Sequence, residues 1–79
     1  MRLDKYLKVS RIIKRRTVAN EDCDAKHVTV NGKVERASYD VKVGDIIEIT
    51  FGANTSRFEV LSVSEHATKE TAALMFRQL

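Results

Sequence analysis

Seven cationic side chains fall within the first sixteen residues: Arg2, Lys5, Lys8, Arg11, Lys14, Arg15 and Arg16, set against one carboxylate, Asp4. The chemistry open to such a set is electrostatic. Ammonium and guanidinium groups at this density neutralise phosphates and displace their condensed counterions. The same stretch interleaves Leu3, Tyr6, Leu7, Ile12 and Ile13, and a disordered basic arm has no need of apolar residues at regular spacing. The array is therefore expected to sit on folded structure and to meet a polyanion. Arg16 is the best single candidate, because a guanidinium near a helix start forks onto phosphate while the helix amides add positive potential.

Other chemistry has weaker support in the residues. Cys23 and His27 are four apart and would meet on an extended helix, but the next metal ligand, His66, is remote in the chain, short of the three or four ligands a site needs. Cys23 as a nucleophile is opposed by its neighbours Asp22 and Asp24, which raise a thiol pKa. No glycine-rich phosphate loop, paired-acid cleft or Ser-His-Asp arrangement is present, and a chain of 79 residues has little room for a substrate pocket. The expectation is a binding protein, not an enzyme, with neither metal nor cofactor.

Composition sets the frame for these residues. Hydrophobic residues make up 43% and charged residues 32% of the chain, which is the balance of a globular domain near the lower size limit for a core without metals or disulfides. There is no Trp, so aliphatic side chains must build that core. A lone cysteine excludes an intramolecular disulfide, and there is no apolar run of membrane-spanning length nor a signal-peptide pattern, so a soluble, cytoplasmic protein is expected. Charge is unevenly spread: residues 1–33 hold nine Lys or Arg against four Asp or Glu, and residues 34–79 hold five against seven. One end is built to face a polyanion.

Elements that would position the cations follow from periodicity. At 100° per residue Leu3, Tyr6, Leu7 and Ser10 share one arc of a short helix, with Arg2, Lys5 and Lys8 on the arc beside it. Tyr6 is expected in the core with its hydroxyl exposed. Ile12 and Ile13 sit in a turn before a second helix from about 15 to 25, whose apolar side is read as Val18, Ala19, Cys23 and Ala25. At 27–34 the pattern alternates around Asn31-Gly32, a tight-turn pair. Further strands are expected at 46–51 and 57–63 with a loop at 52–56. A terminal helix is expected over 69–79, capped by Thr68, with Ala72, Leu74, Met75, Phe76 and Leu79 supplying apolar contacts, either to the sheet or beyond it.

The ordered combination of RLDKYL at 2–7, Arg16 with Ala19, VTVNGK at 28–33, and Ser38 with VKVGDIIEI at 41–49 resembles the S4 RNA-binding domain. The resemblance covers residues 1–51, with 52–79 as an appended strand and helix of the same compact domain. It implies an α+β fold in which two N-terminal helices pack on a small bent antiparallel sheet and present a basic surface to structured RNA. More narrowly, the near-continuous first 21 residues resemble the small S4 proteins of bacterial ribosome-associated quality control, relatives of the fifteen-kilodalton heat-shock protein. That likeness implies a non-enzymatic factor on the large (50S) ribosomal subunit, lodged between large-subunit ribosomal RNA and the P-site tRNA while a partner adds an alanine tail, and monomeric off the ribosome.

Carried onto this chain, the resemblance makes Arg2 and Arg16 the first RNA contacts, supported by Lys5, Lys8, Lys14 and Arg15. Arg11 belongs to the same basic stretch. Lys26, Asn31 and Lys33 complete the candidates, although Asn31 is read first as turn chemistry. Lys26 stands where the family usually has a glycine closing the second helix, Arg15 replaces a common serine cap, and Ala37 a common proline. The competing reading is a DNA-binding helix-turn-helix regulator. Against it, Glu21, Asp22 and Asp24 put carboxylates along the helix that would enter the groove.

Overall fold

The computed structural model describes residues 1–79. Two helices come first, α1 (Leu3–Val9) and α2 (Arg16–Asp24), followed by strands β1 (Val28–Val30), β2 (Lys33–Val34), β3 (Ile46–Phe51) and β4 (Asn54–Val60), a single helical turn α3 (Lys69–Ala72) and a last strand β5 (Phe76–Gln78). The strands form one antiparallel sheet in the order β2-β1-β3-β4-β5. This is the expected α+β arrangement of two N-terminal helices with a small antiparallel sheet.

Alternation along the strands decides which face is covered. Val28 and Val30 stand opposite Ile49 and Ile47, and Ile47 opposite Phe58. All five are buried and join Leu3, Tyr6, Leu7, Ala19 and Cys23 in one core. Leu3, Tyr6 and Leu7 are fully buried, each contributing about 1.5–3 kcal/mol by leaving water. Between the helices Ile13 plugs the turn, as its position suggested. The predicted apolar side of α2 is narrower than expected: Ala19 and Cys23 are buried, whereas Val18 and Ala25 are exposed. The buried apolar residues that α2 brings to α1 are both small, so α2 lies close and its flanks stay in solvent.

The chain reverses by tight turns. Asn31 and Gly32 have φ of 53° and 83°, the doubly left-handed pair of a two-residue hairpin whose twist matches its strands, and Val30 pairs with Lys33 across it. The loop expected at 52–56 is shorter in fact. Gly52-Ala53 alone connects Phe51 to its partner Asn54, so β4 starts earlier and ends at Val60, not 63. Thr50 and Thr55 face each other across the new pairing, 3.2 Å between hydroxyls, a cross-strand contact that rewards the longer hairpin.

The C-terminal segment departs most from expectation. Thr68 does cap a helix, in a reciprocal box with Thr71, but that helix ends at Ala72. Residues 76–78 instead pair with the open edge of β4. Local propensity favours helix through Ala-Ala-Leu-Met, and tertiary contacts override it: Phe76 meets Phe58 edge-to-face at 5.4 Å, and Met75 is buried. The Met75 carbonyl accepts from Leu61 N, Ser62 N and the Tyr6 hydroxyl. The Tyr6 hydroxyl is thus buried, not exposed, and ties α1 to the segment before β5. Of the apolar side chains expected to cover the sheet or extend beyond it, Leu74 and Leu79 are mostly exposed.

Both helices end without glycine. After α2, Lys26 N–H donates to Cys23 O at 3.0 Å and His27 N–H to Asp22 O at 2.9 Å, the paired bonds of a left-handed helix stop. Lys26 itself has φ 64°. Arg11, with φ 64° after α1, is left-handed too, its N–H donating to Lys8 O at 3.0 Å while Ile13 N–H reaches Leu7 O at 3.0 Å. A side chain there brings Cβ against the following carbonyl. We expect Lys26→Gly to raise unfolding free energy by about 1 kcal/mol, read as a higher midpoint in urea with an unchanged slope.

A buried acid pins the sheet to its connecting turn. Asp45 accepts from Asn31 Nδ2 at 3.0 Å, the Tyr39 hydroxyl at 2.9 Å and Lys42 N–H at 3.0 Å. Burial by itself would raise its pKa, but these bonds and the Lys42 charge outweigh burial and hold the carboxyl below the usual 3.8. The folded chain therefore keeps the anion at a pH where the unfolded chain has begun to protonate it. Its stabilisation is complete above the unfolded value and lost as pH falls below about 4 through the lower folded value. Urea midpoints measured from pH 6 downward should drop more steeply in the parent than in Asp45→Asn.

Candidate nucleic-acid interface

The geometry of the basic face is organised by Asp4. It lies on the arc of α1 that packs inward and is 2% exposed. Arg2 donates to it through Nε at 3.1 Å and Nη2 at 3.4 Å, Arg16 through Nε at 3.4 Å, Asn20 through Nδ2 at 3.3 Å and the Lys5 backbone N–H at 2.8 Å. Burial alone would raise the Asp4 pKa. The hydrogen bonds from Arg2, Asn20 and Lys5, with the charge of Arg16, together hold it below 3.8, so the group is an anion at neutral pH.

What this does to the arginines is asymmetric. Arg2 spends Nε and one terminal nitrogen on Asp4, while Arg16 spends only Nε and keeps both terminal nitrogens for another ligand. Their side chains remain 50% and 49% exposed. Two guanidinium groups from different helix starts are thus fixed at Nε, with one terminal nitrogen of Arg2 and both of Arg16 left for a ligand, and Arg16 meets the condition for forked recognition of phosphate.

The other sequence candidates distribute around this pair. Lys5 is half-buried and 3.6 Å from Glu65. Lys8, Arg11, Lys14 and Arg15 are exposed, and none has a carboxylate within 4.0 Å. Arg15 occupies the cap position of α2 without a side-chain capping bond. Lys26 lies at the opposite end of α2, exposed, and Lys33 is exposed at the β1–β2 turn. The Asn31 side chain is occupied at both ends, donating to Asp45 and accepting from Ile46 N–H at 3.0 Å.

On the sheet, Arg57 of β4 pairs with Glu48 of β3 at 3.3 Å and Arg77 of β5 with Glu59 of β4. Lys33, Arg36, Lys42 and Lys69 have no carboxylate within 4.0 Å, so unpaired cations are densest in the first sixteen residues without being confined to them. Cys23 is buried, and burial followed by the nearby charges of Asp4, Asp22 and Asp24 pushes its thiol up to about 11. His27 faces Asp22 at 3.8 Å, and His66 lies in the exposed 61–68 segment. No three His, Cys, Asp or Glu side chains converge as metal ligands.

Sequence reading missed three residues. Asp4 was seen only as an isolated acid, although its place on the same arc as Leu3 and Leu7 marked it as buried. Asn20, four residues after Arg16 and so on the same face of α2, was the signal that something polar lay opposite. Arg36, from the less basic part of the chain, comes alongside Arg2 and Lys26 only through folding: all three line a groove between the end of α2 and the segment after β2.

Comparison with known proteins agrees with the geometry. Residues 1–47 match the S4 domain. The chain is 53% identical to the RQC P-site tRNA stabilizing factor of Streptococcus pneumoniae, over 96% of this chain and 86% of the relative. It is 46% identical to the factor of the same name in Bacillus subtilis, over 96% and 88%. In structure it is similar to the heat shock protein 15 of Vibrio cholerae, described as trimeric, with a TM-score of 0.90, 25% identity and coverage of 100% of this chain and 81% of that one. A solution structure of the hypothetical protein HP1423 gives a TM-score of 0.85 at 27% identity, covering 100% and 96%. On the match of residues 1–47 and on identity that extends over nearly the whole chain, the chain belongs to the S4 domain family and, within it, to the RQC P-site tRNA stabilizing factors.

Proposed function

We propose that this protein holds P-site tRNA on the large ribosomal subunit by gripping folded RNA with the α1–α2 face, acting in the cytoplasm as a monomer when free. The observation that carries the reading is the buried Asp4 clamp, which aims Arg2 and Arg16 from two helices toward one surface. Lys5, Lys8, Arg11, Lys14 and Arg15 surround it, and Lys26, Asn31 and Lys33 extend the contact. Recognition of this kind reads phosphate placement and RNA shape, not base sequence. A single rigid surface that touches ribosomal RNA and tRNA raises the effective concentration of each for the other. The relatives' name supports the tRNA and quality-control assignment, and an alanine-tailing factor is the partner that such a role requires. Residues 52–79 serve as a brace, since Met75 and Glu65 contact α1 through Tyr6 and Lys5.

Arg16→Ala should weaken cosedimentation with purified 50S subunits by about tenfold, the loss of one charge-assisted contact, while the circular dichroism spectrum remains that of the folded chain and the urea midpoint falls, because the buried Asp4 loses one of its donors. Its dependence on salt should also flatten by about one ion. Equal cosedimentation of Arg16→Ala and parent, or tighter binding of duplex DNA than of 50S particles, would overturn the assignment.

A second substitution tests the clamp itself. Removing a carboxylate from a basic surface ordinarily strengthens its hold on RNA. Asp4→Asn should do the reverse and reduce 50S cosedimentation, because both arginines lose the anion that fixes them. Stronger cosedimentation of Asp4→Asn at the same salt concentration would show that Asp4 competes with RNA instead of organising its ligands.

A further inference from the structure

The groove lined by Arg2, Lys26 and Arg36 has a composition that a simple phosphate contact does not require. It encloses about 510 Å³, within the range of small-molecule sites and large enough for one nucleotide. Its cations come from three separate places in the chain: the start of α1, the end of α2 and the segment after β2. Beside them stand two carboxylates, Asp24 and Glu35, and the half-exposed Val34. Neither Lys26 nor Arg36 has an acid within 4.0 Å. Lys26 also holds its place with a left-handed backbone that glycine would adopt at lower cost.

We propose that this groove is a single-nucleotide subsite, in which Lys26 and Arg36 hold a phosphate, Val34 backs the base, and Asp24 or Glu35 accepts from base N–H groups. The mixture of charges is the argument. Carboxylates repel a bare phosphate but suit an unstacked base that offers donors on its Watson–Crick edge. Guanine presents two parallel N–H donors and fits one carboxylate best. Arg2 belongs to both surfaces, paired with Asp4 on one side and lining the groove on the other. A nucleotide splayed from folded RNA would therefore enter the groove while its neighbours lie on the α1–α2 face. This inference rests on the RNA-binding reading above and adds a base-reading element to a surface otherwise limited to shape and phosphate.

The test uses the full chain labelled with ¹⁵N and titrated with 5′-GMP, guanosine or inorganic phosphate. Up to about 10 mM 5′-GMP, the expected millimolar regime for so small a ligand, the amide signals of Lys26 and residues 34–38 should shift. Guanosine and phosphate should each bind at least about fivefold more weakly. Arg36→Ala should lose most of the shift. Lys26→Gly should lose it too, despite the greater stability expected of that variant, so misfolding does not account for the loss. Equal shifts with phosphate alone, no shift at 34–38, or parent-like 5′-GMP binding by Lys26→Gly would overturn the nucleotide subsite. Cosedimentation with 50S subunits separates the two readings. Arg16→Ala weakened with Arg36→Ala unchanged sinks the groove and leaves the RNA-binding face standing, whereas Arg16→Ala unchanged sinks the face itself.

Discussion

A buried carboxylate held by two arginines, an asparagine and a backbone amide is the constraint on which the rest of this molecule depends. An ion withdrawn from water is strongly disfavoured unless its lone pairs are filled by well-placed donors, and Asp4 has five hydrogen bonds to fill them. The consequence reaches beyond Asp4. Its donors come from α1 and α2 together, so the relative placement of the helices is set by a charge as well as by the close contact of Ala19 and Cys23 with the α1 core. Long cationic side chains on a surface ordinarily lose much rotamer freedom when they engage a ligand. Here part of that ordering is complete before any ligand arrives, and the anion responsible is shielded beneath the guanidinium groups where an incoming phosphate meets cations first.

The sheet and C-terminal segment explain why α1 can serve as this platform. One face of the sheet supplies the aliphatic core on which α1 lies, and the segment between β4 and β5 reaches α1 from another side through the Tyr6 hydroxyl and Lys5. Tyr6 is buried well enough that its hydroxyl pKa is raised by desolvation, so it stays a neutral donor to the Met75 carbonyl throughout the physiological range. Electrostatics divides the molecule in the same way. Cross-strand pairs Glu48–Arg57 and Glu59–Arg77 cancel charge on β3, β4 and β5, leaving the excess of positive charge to the first sixteen residues, α1 and the turn into α2. Cancelled pairs at exposed positions add little stability; their larger effect is to keep a second surface from competing for polyanions.

Much of this was legible in the sequence because it rests on local rules. The 3.6-residue spacing of Leu3, Tyr6, Leu7 and Ser10 specified α1 and its buried arc, and Asn31-Gly32 specified a hairpin whose φ values only a few residue types tolerate. The RLDKYL and VTVNGK strings together indicated the S4 fold. What escaped was decided by contacts distant in sequence. Nothing local distinguishes the Ala-Leu-Met-Phe run of residues 73–76 from helix; the open edge of β4 and the ring of Phe58 do. The same holds for the site. Periodicity placed Arg2 and Arg16 on helix surfaces, but that both share Asp4, and that Arg36 stands beside Lys26, are facts of tertiary structure with no counterpart in spacing.

Both helix stops hold a cation in a strained backbone conformation. Arg11 and Lys26 follow α1 and α2 in equivalent left-handed conformations, where glycine relieves the clash between Cβ and the next carbonyl. Both are exposed and neither forms an ion pair, so neither side chain returns a visible contact to the fold in exchange for the strain. Solubility is no explanation, since a cation at any unstrained surface position would serve it equally well. What these positions offer is fixity: a residue after a helix stop is held by the hydrogen bonds that end the helix, as Lys26 is by Cys23 and Arg11 by Lys8. A charge that must meet a phosphate at one place, and not merely raise the local potential, gains from an anchored backbone. Strain at two left-handed stops, each occupied by a cation, has no counterpart in the packing of the free protein.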